Sequence, residues 1–138
     1  MNKEAFVIYK FRTMVSNADE IGPKFTSSND IRITRVGRFL RKTSLDELPQ
    51  LVNVVLGDMS LVGYRPGVKE NYHDLSAKTK NFSLKPGITG YAQINGRSTL
   101  NLEERRYWES KYIEDISFAT DLKILFKTVL IAITGRGS

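Results

Sequence analysis

Thr43-Ser44-Leu45-Asp46-Glu47-Leu48-Pro49-Gln50 is the stretch on which the centre of this chain turns. Ser44-x-x-Glu47 matches a capping box, in which a serine and a glutamate three residues on satisfy each other's free backbone N–H groups. Leu45, Leu48, Leu51, Val52 and Val55 then follow helical spacing. The spacing predicts a helix over 44–56, stopped by Gly57 and bent at Pro49, where one backbone hydrogen bond is missing. The same eight residues place two adjacent carboxylates, Asp46 and Glu47, at the helix start. Arg32, Arg35, Arg38, Arg41 and Lys42 lie just upstream. An acidic pair beside fixed cations suits phosphate chemistry, because a helix start stabilises anions and keeps an aspartate ionised. A cap beside a solvated basic face uses the same residues, and spacing alone favours it.

Upstream, Ala5 to Met14 alternates with high β-propensity. Phe6, Ile8 and Lys10 fall on one face, and Val7, Tyr9 and Phe11 on the other, which predicts a strand or hairpin element near 5–14. Residues 16–30 read as a polar loop, and Thr34 as the N-cap of a helix to about Lys42. Downstream, Met59 to Val62 is short and apolar, and Gly63 to Gly67 is a loop. Val68 to Lys80 reads as helix, and Lys85 to Arg97 as loop and short strand. Asn101 and Glu104 repeat the capping-box spacing and open a helix to about Ile113. Phe118 to Thr134 is an amphipathic helix with Leu122, Leu125, Phe126, Val129, Leu130 and Ile133 on one side and Lys123 and Lys127 on the other. Such a face usually packs on a core, though it also suits a membrane surface. The fold class predicted is α+β, a mainly helical single domain over 1–138.

The 138 residues suffice for one hydrophobic core, and 41% hydrophobic with 26% charged residues is ordinary for a folded soluble domain. A net charge of +6 favours anionic partners without choosing among nucleic acid, phosphorylated substrates and anionic lipid. With no cysteine and one histidine, His73, the chain holds no disulfide, thiolate nucleophile or multi-histidine zinc site.

Lys85-Pro-Gly-Ile-Thr-Gly-Tyr-Ala-Gln-Ile-Asn-Gly-Arg97 has three glycines that let backbone approach a ligand. Thr89, Gln93, Asn95 and Arg97 offer hydrogen-bonding groups, and a glycine-rich hairpin is the plain alternative. Arg65, between Gly63 and Pro66, presents one cation from a rigid loop. His73 reads as a surface residue, and Tyr107, Trp108 and Tyr112 as packing.

These stretches, in this order and spacing, resemble the bacterial sugar transferases, the monotopic polyprenyl-phosphate phosphoglycosyl transferases. The matching pieces are Tyr9 to Met14, Asp30 to Arg38, Arg41 to Gln50, Gly57 to Gly63, Lys85 to Arg97 and Asp121 to Leu125. The resemblance implies Mg²⁺-dependent transfer of a sugar-1-phosphate from a UDP-sugar to undecaprenyl phosphate, with release of UMP. It implies Asp46 as the nucleophile that forms an aspartyl-phosphosugar intermediate. Glu47 would help hold Mg²⁺ with Asp46, or assist proton removal from the acceptor phosphate. It implies Arg41, with Arg38, for the polyprenyl phosphate. Arg65, Gly87, Thr89, Gly90, Gln93, Asn95 and Arg97 are implied for the nucleotide sugar.

The chain departs from the family at Tyr64, where proline is usual, and at Glu109, where aspartate is usual; Glu109 therefore receives no metal role. Family members carry a re-entrant hydrophobic helix that anchors them at the cytoplasmic face of the inner membrane. That helix is expected upstream of Met1, and the isolated chain is expected to be nearly inactive. Contact with the membrane surface is expected, nucleic acid is not, and the oligomeric state is left open. Two rival readings are a basic nucleic-acid module built on residues 34–56 and a non-catalytic membrane-surface domain using the last helix.

Overall fold

The computed structural model describes residues 5–22, 30–66, 84–96 and 99–134. The architecture is α+β and mainly helical. After a short helix α1 (Ala18–Ile21) come α2 (Arg35–Thr43), a 3₁₀ turn (Leu45–Glu47), α3 (Gln50–Leu56) and β1 (Ser60–Val62). Next are β2 (Gly87–Thr89), a single helical turn α4 (Tyr91–Ile94), α5 (Leu102–Asp115) and α6 (Phe118–Thr134). The helix expected over 68–80 lies outside the described residues, as do Arg97 and His73.

The cap residues behave as their chemistry dictates at three ends. The Thr34 hydroxyl accepts from the Gly37 N–H and opens α2. Asn101 and Glu104 close a reciprocal capping box that opens α5. Gly57, at φ 86°, ends α3 in the left-handed region. Phe118–Thr134 is helical over the whole predicted range.

Three expectations are corrected. Ser44 caps nothing with its side chain: it ends α2 at φ 59°, its backbone N–H bonding back to Arg41 and Leu40 carbonyls. The helix expected over 44–56 is therefore a 3₁₀ turn followed by α3, with Pro49 at the break instead of at a bend. A left-handed residue redirects the chain by more than proline's lost hydrogen bond does.

The second correction concerns residues 5–13, which run extended but form no ladder; the nearest pairing is an isolated antiparallel bridge between Met14 and Ile33. Their backbone groups are satisfied by a side chain instead. The wholly buried Asn53 accepts from the Tyr9 N–H at 3.1 Å and donates to the Val7 carbonyl at 2.7 Å. The Phe11 N–H donates to the Asp46 carbonyl at 3.0 Å. One carboxamide thus takes the place of a neighbouring strand.

The sheet that does form is β1 with β2, parallel, in the register Ser60–Gly87 and Val62–Thr89. The stretch 85–97, predicted free of helix, includes α4, and its glycines serve sheet packing. A Cβ at Gly87 would sit 2.1 Å from the Gly63 nitrogen, and one at Gly90 would sit 2.0 Å from the Gly63 oxygen.

Val62, Tyr112 and Ile124 form the buried cluster, with Leu84, Tyr91, Ile94 and Leu125 packed around it. α6 meets β1, β2, α4 and α2. The third correction is at α6 itself. Its inward contacts are Ile124 and Leu125, while Leu122, Phe126, Val129, Leu130 and Ile133 are exposed. The broad apolar face predicted to cover the core points away from it. No helix among the described residues is long and apolar enough to cross a membrane.

Candidate active site

The carboxylate pair sits where three elements meet: the 3₁₀ turn that carries it, the extended segment 5–15, and the loop after β1. Glu47 is buried, and its Oε1 accepts from two cations, Lys10 Nζ at 2.9 Å and Arg65 Nη2 at 2.7 Å. Burial alone would raise the Glu47 carboxyl. The charges of Arg65 and Lys10, and their hydrogen bonds, outweigh it and hold the group below its usual range. Glu47 is thus a fixed anion.

Asp46 is its opposite. It is half-buried, and burial first, then the neighbouring Glu47 charge, push its carboxyl above the ordinary value. Lys10 and Arg41 offset part of that push. The helix start expected to favour the Asp46 charge is not there: Asp46 lies in a 3₁₀ turn beside a second carboxylate. Its acidity is tuned by the surrounding charges.

The arginine series separates by position. Arg32 is buried, pairs with Asp30 at 2.6 Å and donates to the Ala18 carbonyl at 2.9 Å. Hydrogen bonds from the Arg32 side chain and backbone lower the Asp30 carboxyl to about 2. Arg32 therefore serves the fold and is not part of an anion-binding face. Arg35 and Arg38 are exposed on α2. Arg41, one turn beyond Arg38, reaches inward: its Nε donates to the Thr13 hydroxyl at 2.8 Å.

In the glycine-rich stretch, the observed contacts are with the protein itself. The Thr89 and Thr128 hydroxyls share a hydrogen bond of 2.7 Å, and Gly87 and Gly90 close on Gly63. Asn95 Nδ2 donates to the Tyr91 carbonyl. Gln93 differs. It is 5% exposed, and both polar atoms of its carboxamide lack a hydrogen-bond partner among the described residues. Of the residues predicted for the site, the described structure joins Glu47 to Arg65 by an ion pair, with Asp46 next to Glu47 in the chain and Arg41 within electrostatic range of Asp46.

Sequence reasoning missed Lys10 and Thr13 as site residues. The signal for Lys10 was present: a lysine in register with Phe6 and Ile8, on a face that should be apolar. Thr13 carried none. Glu109, left without a role, lies beside Arg65. It accepts from Arg105 Nε at 3.1 Å, and Arg105 Nη2 reaches the Arg65 carbonyl at 3.4 Å. Burial raises the Glu109 carboxyl, with Arg105 and the Arg65 peptide partly offsetting it.

No group of three or more histidine and acidic side chains that would hold a metal occurs among the described residues. Two adjacent carboxylates fit a hard cation such as Mg²⁺, which binds through one or two carboxylates and completes its shell with water and substrate phosphate.

Comparison with known proteins gives this geometry its class. The family model described as bacterial sugar transferase matches residues 1–135, and the chain belongs to that family. It is 41% identical over 138 residues to the uncharacterized sugar transferase EpsL of Bacillus subtilis, covering 99% of this chain and 67% of that protein. It is also 41% identical over 149 residues to the undecaprenyl-phosphate galactose phosphotransferase of Salmonella typhimurium, covering 96% of this chain and 31% of that protein. The UDP-N-acetylgalactosamine-undecaprenyl-phosphate N-acetylgalactosaminephosphotransferase of Aeromonas hydrophila is 37% identical over 140 residues, with 96% and 33% covered. The chain thus spans about two thirds of the first of these relatives and about a third of the other two.

Proposed function

We propose that this chain is the catalytic part of a phosphoglycosyl transferase that moves a sugar-1-phosphate from a UDP-sugar to undecaprenyl phosphate. The observation that carries the reading is the unequal treatment of adjacent carboxylates. Glu47 is compensated by two cations, and Asp46 by none in direct contact among the described residues. A nucleophile and its supporting anion need that division. The names of the Salmonella and Aeromonas relatives, each an undecaprenyl-phosphate sugar phosphotransferase, agree with it.

In the first step an Asp46 carboxylate oxygen attacks the phosphorus next to the sugar. The bond from that phosphorus to the bridging oxygen breaks, and UMP leaves with the electron pair. In the second step an oxygen of the acceptor phosphate attacks the same phosphorus, the acyl-phosphate bond breaks, and the Asp46 carboxylate is restored. Arg41 and Arg65 hold the substrate phosphates, and Glu47 keeps Lys10 and Arg65 in place. Mg²⁺, held by Asp46 and Glu47, would neutralise diphosphate charge. Gln93 and Asn95 lie in the stretch that the resemblance assigns to the nucleotide sugar.

A purified full-length protein in lipid should release UMP from a UDP-sugar only when Mg²⁺ is present, and Asp46→Asn should abolish release. Normal turnover by that variant would sink the assignment. A nucleic-acid module leaves the Lys10–Glu47–Arg65 triad without purpose; salt-dependent retardation of duplex DNA, lost on removing Arg35 and Arg38, would favour it.

The exposed apolar side of α6 suits contact with a membrane surface, and the family resemblance puts that surface at the cytoplasmic face of the bacterial inner membrane. Capsule and exopolysaccharide assembly are the settings that such a lipid-linked product serves.

A further inference from the structure

Thr13 is 6% exposed, and both its carbonyl and its hydroxyl are engaged. Its carbonyl accepts from the Thr34 N–H at 3.0 Å and from the Thr34 hydroxyl at 3.3 Å. Its backbone lies directly on Gly37, where a Cβ would stand 1.9 Å from the Thr13 oxygen. Its hydroxyl accepts from Arg41 Nε at 2.8 Å. A β-branched side chain on a backbone pinned in this way has little rotamer freedom.

A guanidinium carries five N–H donors in one plane. Once Nε is bound, that plane is set, and the Nη1 and Nη2 groups form the edge that meets an oxyanion bidentately. A free arginine side chain would have to be ordered at the moment of binding.

We propose that Thr13 is a positioning residue whose hydroxyl aims the Arg41 guanidinium, so that its remaining edge meets the phosphate of the lipid acceptor. This rests on the reading that Arg41 binds that phosphate. Thr13 itself touches no substrate, and it works by removing the orientational freedom of the residue that does.

The experiment is steady-state kinetics of full-length protein in lipid nanodiscs, varying undecaprenyl phosphate and UDP-sugar separately. Thr13→Val, nearly isosteric but without the acceptor, should raise the KM for undecaprenyl phosphate by about tenfold. The KM for the UDP-sugar should stay within about twofold. Thr13→Ser, which keeps the hydroxyl, should recover most of the loss. In an Arg41→Lys background, Thr13→Val should add nothing, since residues acting through one another are not additive. Equal effects on both substrates, failure of the serine variant to rescue, or full additivity would overturn the proposal.

If Arg41→Lys leaves the acceptor KM unchanged, the phosphate assignment fails, and positioning is then read from the ¹⁵N signal of Arg41 Nε. A protected signal in the native protein that shifts in Thr13→Val upholds positioning; a freely exchanging native signal refutes it, including when Thr13→Val does not fold.

Discussion

At the scale of single residues, the site works by contrast between Asp46 and Glu47. Lys10 is the residue that serves both, bonding one and lowering the acidity cost of the other. Its charge favours the Asp46 carboxylate, so losing it raises the Asp46 pKa further. Lys10→Met should therefore shift the acid limb of kcat/KM to higher pH and lower its plateau by about tenfold or more. Lys10→Arg should restore most of both. A profile with an unmoved acid limb would show that Lys10 acts on folding alone. The pair also affects stability in opposite senses. Glu47, whose folded pKa is depressed, contributes stability present above its unfolded pKa and lost as pH falls through the folded one. Asp46, whose folded pKa is raised, destabilises the fold as pH rises past its unfolded value.

At the scale of elements, α2, the extended segment and α5 each hold one part of the site. Gly37 lets the segment lie on α2 at backbone contact. Gly37→Ala should cost about 1–3 kcal/mol in denaturant unfolding, because the Thr13 carbonyl must move away. No loss would show that the segment detaches freely. α5 brings Arg105 and Glu109 to the main chain of Arg65. Glu109→Ala should lower kcat/KM by about tenfold while leaving the Mg²⁺ concentration for half-maximal rate unchanged. A shifted metal requirement would make Glu109 a ligand instead.

Helices with side-chain caps were legible in the sequence: Thr34, Asn101 and Glu104 act over three residues, within reach of pattern reading. Ser44 was not, because its left-handed backbone answers to the junction of two elements. Nor was the segment 5–13 legible in its pairing. Its alternation predicts a strand, but it forms none: its partner is the Asn53 side chain, some forty residues away, and no periodicity encodes that. The dyad was visible as adjacent letters, whereas the triad around it depends on three separate stretches meeting.

At the scale of the molecule, apolar surface lies on α6 and also on α2 and α3. Phe126 is 65% and Ile133 78% exposed, and Val36, Phe39, Val52 and Val55 are exposed as well. Exposed apolar surface is what a docking face would offer, and lysines 123 and 127 on the same helix would suit the proposed anionic lipid layer. Changing Leu122 and Phe126 together to serine should reduce co-sedimentation with phosphatidylglycerol liposomes several-fold. The thermal midpoint should hardly move, since exposed positions contribute little to folding. A large fall in the midpoint with unchanged sedimentation would instead make this face structural.

In the proposed reaction Asp46, and not Glu47, takes up the sugar-phosphate from the donor. The most direct measurement is mass spectrometry of the protein quenched in acid after reaction with a UDP-sugar and Mg²⁺, with no lipid acceptor present. A sugar-phosphate adduct is expected on the peptide bearing Asp46, discharged by added undecaprenyl phosphate and absent in Asp46→Asn. UMP release without any adduct, or an adduct that persists in Asp46→Asn, would contradict it.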